Sequence, residues 1–206
     1  MRIIDPSYEI LTPITETASK LIEAAGRTCY KSEDKITPDS ARAFVRKVIA
    51  SGHESVIEHA GLTVRFICDR GVSHEIVRHR LASFSQESTR YCNYSSEKFG
   101  SQLTFIRPLW IDPFKAGADE EWYLMMARSE SSYFKLLNEG WTPQQARSVL
   151  PNSLKTEIVV TANVREWRHI FRVRCTEKAH PQMRQLMVPL HEELKREAPE
   201  IFGEAL

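Results

Sequence analysis

The stretch "LTVRFICDRGVSHEIVRHR", residues 62–80, joins two patterns of different period. Its first part alternates the apolar side chains of Leu62, Val64, Phe66 and Cys68 with mostly polar ones. This alternation predicts a strand with one buried face. Gly71 then interrupts the alternation, and the segment "VSHEIVRHR" predicts a short helix.

Helical patterns surround this stretch and outnumber the strand patterns. In the helix predicted over residues 37–53, Thr37 is the expected cap, Pro38 the expected first residue and Gly52 the expected end. Residues 81–99 are serine-rich and fit either a strand or a loop. The other predicted helices cover residues 16–30, 119–140, 141–151, 165–175 and 180–199, and strands are predicted over 103–108 and 155–164. Because helices separate the strands without regular alternation, we expect an α+β fold, and the length of 206 residues favours one domain over residues 1–206.

The overall composition excludes a strongly basic protein. The formal net charge is +1, with 28 Lys and Arg against 27 Asp and Glu, so any anion binding has to be local. The N-terminal segment lacks the pattern of a signal peptide, and no run of apolar residues approaches the ~18 that predict a membrane span. The four cysteines form no CxxC pair. We therefore expect a reduced, cytoplasmic protein with free thiols.

The segment "RHRLASFSQESTRY", residues 78–91, concentrates cations and hydroxyl groups. Arginine donates in a planar fork that matches phosphate and carboxylate oxygens, and serine adds neutral donors. The alternative is a solvated arginine face beside a serine-rich loop. In a chain of almost zero net charge, this density favours an anion site. The residues that carry this prediction are Arg78, Arg80, Arg90, Ser83, Ser85, Ser88 and Gln86.

Two further clusters are candidates for ligand contacts. In "GHESVIEHA", residues 52–60, the histidine spacing does not match common zinc patterns, so donors to a polar ligand, or structural histidines, are expected rather than metal ligands. In "NVREWRHIFRVR", residues 163–174, cations mix with apolar residues, which favours a helix packed on one side and facing an anion on the other. A solvated basic helix is the alternative for this segment. Arg147 is a candidate to join these cations, whereas packing is the expected role of Cys175.

Together these clusters resemble the flavin-dependent thymidylate synthase family. Its signature is Arg-His-Arg, seven residues and a serine, which here is Arg78, His79, Arg80, "LASFSQE" and Ser88. The segment "GHESVIEH" is similar to the family's upstream His-x-Ser-x-x-Glu-His element. The segment "NVREWRHIFRVR" is similar to its downstream Asn-x-Arg element, which ends in an arginine, here Arg174.

The resemblance implies a function and a set of site residues. The family converts dUMP to dTMP with methylenetetrahydrofolate as carbon donor and NADPH, through FAD, as reductant. It implies a homotetramer with active sites shared between subunits, no resident metal, no bound nucleic acid, and a small, mostly antiparallel sheet packed with several long helices. Arg174 is the implied catalytic residue, which assists ionisation at N3 of the uracil. The implied FAD contacts are His53, Ser55, Glu58, Arg78, His79, Arg80, Asn163, Arg165 and His169, with Ser55 coming from another subunit. The implied dUMP contacts are Glu75, Arg78, Gln86, Glu87, Ser88, Thr89, Arg90, Arg147 and Arg174.

Two positions depart from the family pattern. In addition, the lack of a Pro-Cys pair distinguishes this chain from the classical, flavin-free thymidylate synthases. The family often has an amide at position 75 and an acid at position 86, where this chain has Glu75 and Gln86. Classical thymidylate synthases use a nucleophilic cysteine preceded by proline, and no cysteine here follows a proline. Two other function classes stay open from the residues alone: an RNA- or nucleotide-binding module with aromatic stacking, and a histidine-rich metal-dependent hydrolase.

Overall fold

The computed structural model describes residues 1–111 and 118–203. Within them the strands are β1 (Arg2–Ile4), β2 (Ser7–Thr12), β3 (Gly61–Asp69), β4 (Ala82–Gln86), β5 (Thr104–Ile106) and β6 (Lys155–Asn163). The helices are α1 (Glu16–Thr28), α2 (Ser40–Ala50), α3 (Arg70–Ile76), α4 (Ala118–Asn138), α5 (Pro143–Ala146), α6 (Val164–Arg174), α7 (Pro181–Glu197) and α8 (Pro199–Phe202). A 3-10 helix covers Glu54–His59.

The strands form a small antiparallel sheet and a parallel pair, so the predicted α+β class is confirmed. The sheet has the order β2-β3-β6-β4, and β1 pairs in parallel with β5. Along β3 the alternation predicted from the sequence is observed, with Leu62, Val64, Phe66 and Cys68 all buried. One face of this strand therefore belongs to the core.

The chain divides into two compact units. The first unit comprises Met1–Ser7, Phe66–Ile76 and Ser85–Ile158. Its core gathers apolar side chains around α4. These are Tyr94, Leu103, Phe105, Met126, Tyr133, Ala146 and Leu154. The expectation of one domain over residues 1–206 stays a prediction.

The second unit comprises Tyr8–Arg65, Val77–Phe84 and Val159–Leu206. Helix α6 is fixed in it by Trp167, whose Nε1 donates to the carbonyl of Leu62 at 3.1 Å and whose ring stacks on Phe171. The Phe171 ring also meets Phe202 edge-on, 5.9 Å between centroids. Because these side chains are buried, the polar face of α6 is the one that points away from this core.

Local hydrogen bonds explain where two predicted helix boundaries were wrong. The helix predicted over residues 72–80 begins at Arg70 instead, because the Asp69 carboxylate accepts from the backbone N–H of Val72 at 2.8 Å and caps the first turn. The same helix ends at Ile76, before Arg80 is reached. Helix α2 begins at Ser40 rather than next to Thr37, and the Ser40 hydroxyl accepts from the Thr37 N–H at 2.9 Å.

The prediction that Gly52 ends the second helix is confirmed. Gly52 follows α2 with φ +71°, a left-handed conformation that side chains with a Cβ rarely adopt. This turn leads the chain into the Glu54–His59 segment. In the segment 81–99, for which strand and loop were both expected, residues 82–86 form β4 and turns follow. Among the described residues, no helix combines the length and apolar character needed to cross a bilayer.

Candidate functional site

In the first unit, two of the predicted substrate residues, Thr89 and Arg147, line a pocket of about 440 Å³. We call it the Arg147 pocket. Its lining residues are Arg70, Thr89, Gln144, Arg147, Ser148 and Leu150. Arg70 is the first residue of α3, Thr89 lies in the turn after β4, and Arg147 follows α5. Three separate elements thus bring two guanidinium groups to one pocket.

Hydrogen bonds hold Arg147 of this pocket and the neighbouring Arg90 in place. Arg147 Nη1 donates to Thr89 Oγ1 at 3.3 Å, and Arg90 Nε donates to Gln144 Oε1 at 2.9 Å. Among the described residues, neither Arg70 nor Arg147 has a carboxylate ion-pair partner. Two guanidinium groups without a counter-ion, beside hydroxyl and amide groups, are suited to a phosphate or carboxylate.

The Gln86 side chain acts as a double donor. Its Nε2 donates to Ser73 Oγ at 2.8 Å and to Thr156 Oγ1 at 3.2 Å. The Ser73 hydroxyl in turn donates to the Arg70 carbonyl at 3.0 Å. An acid at position 86 would accept from such hydroxyls, so Gln86 reverses the direction of these bonds while keeping Ser73 against the start of α3.

The Glu87 carboxylate is engaged inside the first unit. It accepts from Tyr94 Oη and from Lys155 Nζ, each at 2.9 Å. Burial alone would lower the pKa of Lys155, but hydrogen bonds to Glu157 and Glu87 raise it. Burial and the same Glu87 carboxylate raise the pKa of Tyr94. Glu87 therefore anchors the start of the 87–91 turn with its side chain.

Ser88 and Glu75 occupy half-buried positions in the first unit. The Ser88 hydroxyl accepts from the Arg90 backbone N–H at 3.3 Å, which shapes the turn that carries Thr89. Glu75 lies on α3, five residues after Arg70. The structure thus joins Arg147 to Thr89, and Arg90 to Gln144, through hydrogen bonds.

In the second unit, four polar residues form what we call the His79 cluster: His79, Glu166, His169 and Arg174. Arg174 Nε donates to His79 Nε2 at 2.9 Å. A ring nitrogen that accepts carries no proton, so the proton of the neutral ring lies on Nδ1. Nδ1 is 3.7 Å from Glu166 Oε1. The direction of the hydrogen bond from Arg174 thereby identifies the tautomer of His79 as the one with its proton on Nδ1.

The electrostatic setting keeps His79 neutral near pH 7. Burial, then the Arg174 guanidinium and the His169 ring, lower the pKa of His79 to about 4. The His79 side chain is only 7% exposed, as is that of Glu166. The ring of His169 meets that of His79 edge-on, with 5.9 Å between centroids. The contact between His79 and Glu166 is therefore one between an N–H dipole and a carboxylate.

The same cluster contains a candidate metal-ligand set. Ligand atoms of His79, Glu166 and His169 lie within 4.8 Å of one another, the one such group of three among residues 1–111 and 118–203. The Arg174 guanidinium on the other nitrogen of His79 opposes a cation at this position. The expectation of no resident metal stays a prediction.

Two of the predicted cofactor residues neutralise each other. Arg165 Nη1 donates to the Glu58 carboxylate at 2.6 Å, and its Nε lies 3.4 Å from Glu54. Asn163 caps α6, because its Oδ1 accepts from the Glu166 N–H at 2.9 Å. Asn163 thus sets the first turn of the helix that carries the His79 cluster, and Arg165 ties that turn to the Glu54–His59 segment.

The other predicted cofactor residues lie at the surface of the second unit. His53 and Ser55 line a cavity of about 930 Å³ between α1 and α2, together with Arg27 and Phe44. A Cβ at Gly26 would lie 2.6 Å from the Phe44 ring, so only glycine permits the close approach of these helices. Arg78 and Arg80 are exposed in the turn between α3 and β4.

Two of the four free cysteines, Cys68 and Cys175, have thiols whose pKa is raised. Burial, opposed by Arg184, raises the pKa of Cys175 to about 11, and burial raises that of Cys68 to about 12. A nucleophilic cysteine needs a lowered pKa or an adjacent base, so the structure supports a packing role for these two.

Sequence reasoning missed four residues that the structure places beside the predicted ones. Arg70, Gln144 and Ser148 line the Arg147 pocket, and Glu166 lies against His79. Glu166 follows Asn163 by three residues, the spacing of a capping box, which indicates a helix start but not the contact with His79. The signal for Arg70 is weak, since an arginine at the start of a helix is ordinary.

Comparison with known proteins identifies the family. Residues 11–200 match the family described as "Thymidylate synthase complementing protein". A flavin-dependent thymidylate synthase of Geobacter sulfurreducens is 35% identical over 205 residues, which is 94% of this chain and 83% of that protein. Proteins of the same name from Corynebacterium efficiens and Pyrococcus furiosus are 35% and 33% identical, over 91% and 88% of this chain and 79% and 74% of theirs. Since the match spans most of the chain and the relatives share one name, the chain belongs to the flavin-dependent thymidylate synthase family.

Proposed function

We propose that this protein is a flavin-dependent thymidylate synthase that converts dUMP to dTMP. In the proposal, methylenetetrahydrofolate is the carbon donor, NADPH is the reductant and FAD is the bound flavin. Family membership and the shared name of the relatives support the coarse activity. The observation that carries the proposal to this chain's residues is that the chain has both an anion pocket and a neutral His79 held by Arg174.

The Arg147 pocket is the proposed site for the phosphate of dUMP. Its volume of about 440 Å³ exceeds the size of a phosphate group. Arg147 and Arg70 offer charge-assisted hydrogen bonds, and Thr89 holds Arg147 toward the turn that carries Ser88. In the proposal, Ser88 and Arg90 complete the phosphate and sugar contacts from that turn.

The residues of the second unit fit a flavin with a pyrophosphate. The exposed guanidinium groups of Arg78 and Arg80 flank His79, and they suit the negative charge of a pyrophosphate. In the proposal, the His169 ring, which meets the His79 ring edge-on and is exposed, lies against the planar heterocycle of the flavin. Asn163 and Arg165 present the first turn of α6. When bound, the flavin supplies the hydride chemistry, and the protein supplies orientation and electrostatics.

Arg174 is the proposed catalytic residue toward the uracil ring. A guanidinium beside N3 stabilises the anion that grows there when the N3 proton leaves. The hydrogen bond from Nε to His79 fixes the plane of the group. A fixed donor gives more stabilisation than one that must reorganise during the reaction.

The mechanism does not need a cysteine nucleophile. The raised pKa of Cys175 and of Cys68 leaves both as thiols at physiological pH. Neither of these two thiols is activated as a nucleophile, and in the proposal the activation of the pyrimidine comes from Arg174.

We propose a homotetramer whose active sites combine residues of different subunits. Several large apolar side chains are unusually exposed in the described residues, among them Leu81 at 76% and Tyr91 at 78%. Each follows an arginine of the predicted site, Arg80 or Arg90. In the proposal, the partner subunits cover these two side chains.

The test of the proposal is a turnover assay that measures tritium release and dTMP formation in the same sample. Purified protein with bound flavin is given dUMP labelled with tritium at C5, methylenetetrahydrofolate and NADPH. We expect tritium release and dTMP formation that require all three. Arg147→Met should raise the KM for dUMP at unchanged flavin content, and Lys135→Met, on the exposed face of α4, is the matched control. Full activity of Arg147→Met at low dUMP would contradict the assignment of the phosphate pocket.

A further inference from the structure

Glu166 is a buried carboxylate that neither the sequence motifs nor the family comparison assigns. It lies in the first turn of α6, where its backbone N–H donates to the Asn163 cap at 2.9 Å. Its side chain is 7% exposed and has its Oε1 atom 3.7 Å from His79 Nδ1. An acid in the first turn of a helix is favoured by the helix dipole, but such a position is normally solvated. Here the buried carboxylate lies against a polar side chain from another part of the chain.

The carboxylate and the guanidinium lie on opposite nitrogens of one ring. Arg174 donates to Nε2 at 2.9 Å, and Glu166 lies at the Nδ1 side. A neutral imidazole carries one proton, which can be on either nitrogen. With the proton on Nδ1, its N–H faces the carboxylate and the Nε2 lone pair accepts from Arg174. With the proton on Nε2, two N–H groups would face each other, and the lone pair of Nδ1 would face an anion.

We propose that Glu166 is a positioning residue of the reaction, which holds His79 in its Nδ1–H tautomer so that His79 fixes the guanidinium of Arg174. This inference rests on the proposed function of Arg174. It assigns Glu166 no contact with a substrate or with the flavin. The effect reaches the chemistry in two steps: the carboxylate selects the tautomer, and the tautomer selects the orientation of Arg174.

Two variants separate this role from a structural one. Glu166→Gln keeps the size of the side chain but removes the charge that selects the tautomer. Glu166→Asp keeps the charge but withdraws it by one methylene, so it should lose less. Glu192→Gln on α7 makes the same chemical change at a position that is 55% exposed and outside the His79 cluster, and it is the matched control.

The expected loss falls on turnover rather than on binding of the flavin. A misplacement of about 1 Å at a catalytic group costs up to ~100-fold, so we expect Glu166→Gln to lower kcat by roughly ten- to a hundredfold. Flavin content, oligomeric state and melting temperature should stay near those of the wild type. Glu166→Asp should recover part of the loss, and Glu192→Gln should match the wild type. A merely structural role would instead lower flavin content and melting temperature together with activity.

The decisive experiment is a double-mutant cycle with Arg174, measured by single-turnover tritium release from labelled dUMP with the flavin-loaded protein. If Glu166 acts through Arg174, Glu166→Gln has little further effect in an Arg174→Lys background. If the two losses multiply, Glu166 does not act through Arg174 and the inference is wrong. Should Glu166→Gln not fold, Glu166→Asp carries the same cycle. Absence of tritium release in the wild type would refute the proposed function instead, so the two failures are distinct.

Discussion

Acid should destabilise this protein through His79, and the structure gives the size of the effect. The ordinary pKa of histidine is 6.5, and burial beside Arg174 and His169 lowers that of His79 to about 4. Between these values the unfolded chain takes up a proton that the folded protein excludes. Stability is therefore complete above about pH 6.5 and is lost as pH falls toward 4. At 1.36 kcal/mol per pKa unit, the loss approaches about 3 kcal/mol.

The comparison that isolates this contribution is the wild type against His79→Gln. The glutamine oxygen can accept from Arg174 and its amide can face Glu166, but the side chain does not titrate. Other groups also respond to acid, among them His191, whose pKa is lowered mainly by burial. Since these groups are common to both proteins, their contributions cancel when the unfolding free energy of His79→Gln is subtracted from that of the wild type.

The assay is urea unfolding from pH 7.5 to 4.5 at fixed protein concentration and fixed flavin saturation, because both affect apparent stability. Over this range the wild type should lose about 2–3 kcal/mol more than His79→Gln. The same pH dependence in both proteins would refute the neutral, desolvated state of His79. It would also remove the basis for the tautomer that Arg174 and Glu166 define.

The remaining predictions concern the proposed site. Ser88→Ala should weaken dUMP binding by on the order of 1 kcal/mol without abolishing activity, as titration of dUMP would show; unchanged affinity with no turnover would point to a chemical role. Arg174→Ala should keep the flavin while dTMP formation falls by roughly two orders of magnitude, with little rescue by Arg174→Lys. Cys175→Ala should be close to neutral in the same tritium-release assay, and a dead variant would mean that a thiol carries the chemistry. Flavin should co-purify with the oligomer, as light scattering with absorbance detection would show; a stable monomer saturated with FAD would contradict shared sites.

The parts of the fold that were predictable from the sequence are those in which burial repeats along one element. The alternation in β3 follows from one buried face, and the stripe on α6 follows from Trp167 and Phe171 packing in the core. The start of α3 was missed because a side-chain cap by Asp69 outweighed the glycine that follows. Strands β1 and β2 were missed because neither has a clean apolar alternation.

The candidate site was predictable as a set of residues but not as a set of contacts. The Arg-His-Arg segment identified His79, yet its hydrogen bond to Arg174 joins residues 95 positions apart. No spacing within either segment encodes such a pair. Glu166 was missed for the same reason, since an acid in the first turn of a basic helix is ordinary until His79 lies against it. Arg70 could likewise not be predicted as a site residue from the sequence, because its role depends on Arg147 lining the same pocket.

The central claim is that this chain forms dTMP with a bound flavin and without a cysteine nucleophile. The most direct measurement is tritium release from C5 of labelled dUMP by a purified variant in which Cys29, Cys68, Cys92 and Cys175 are all replaced by alanine or serine. The flavin spectrum is recorded in the same sample, with the wild type beside it. We predict a yellow protein whose reduced flavin, in the absence of dioxygen, is oxidised only when dUMP and methylenetetrahydrofolate are both present, with tritium release close to that of the wild type. A folded, flavin-loaded variant that releases no tritium while the wild type does would contradict the claim, as would a wild-type protein that forms dTMP without flavin.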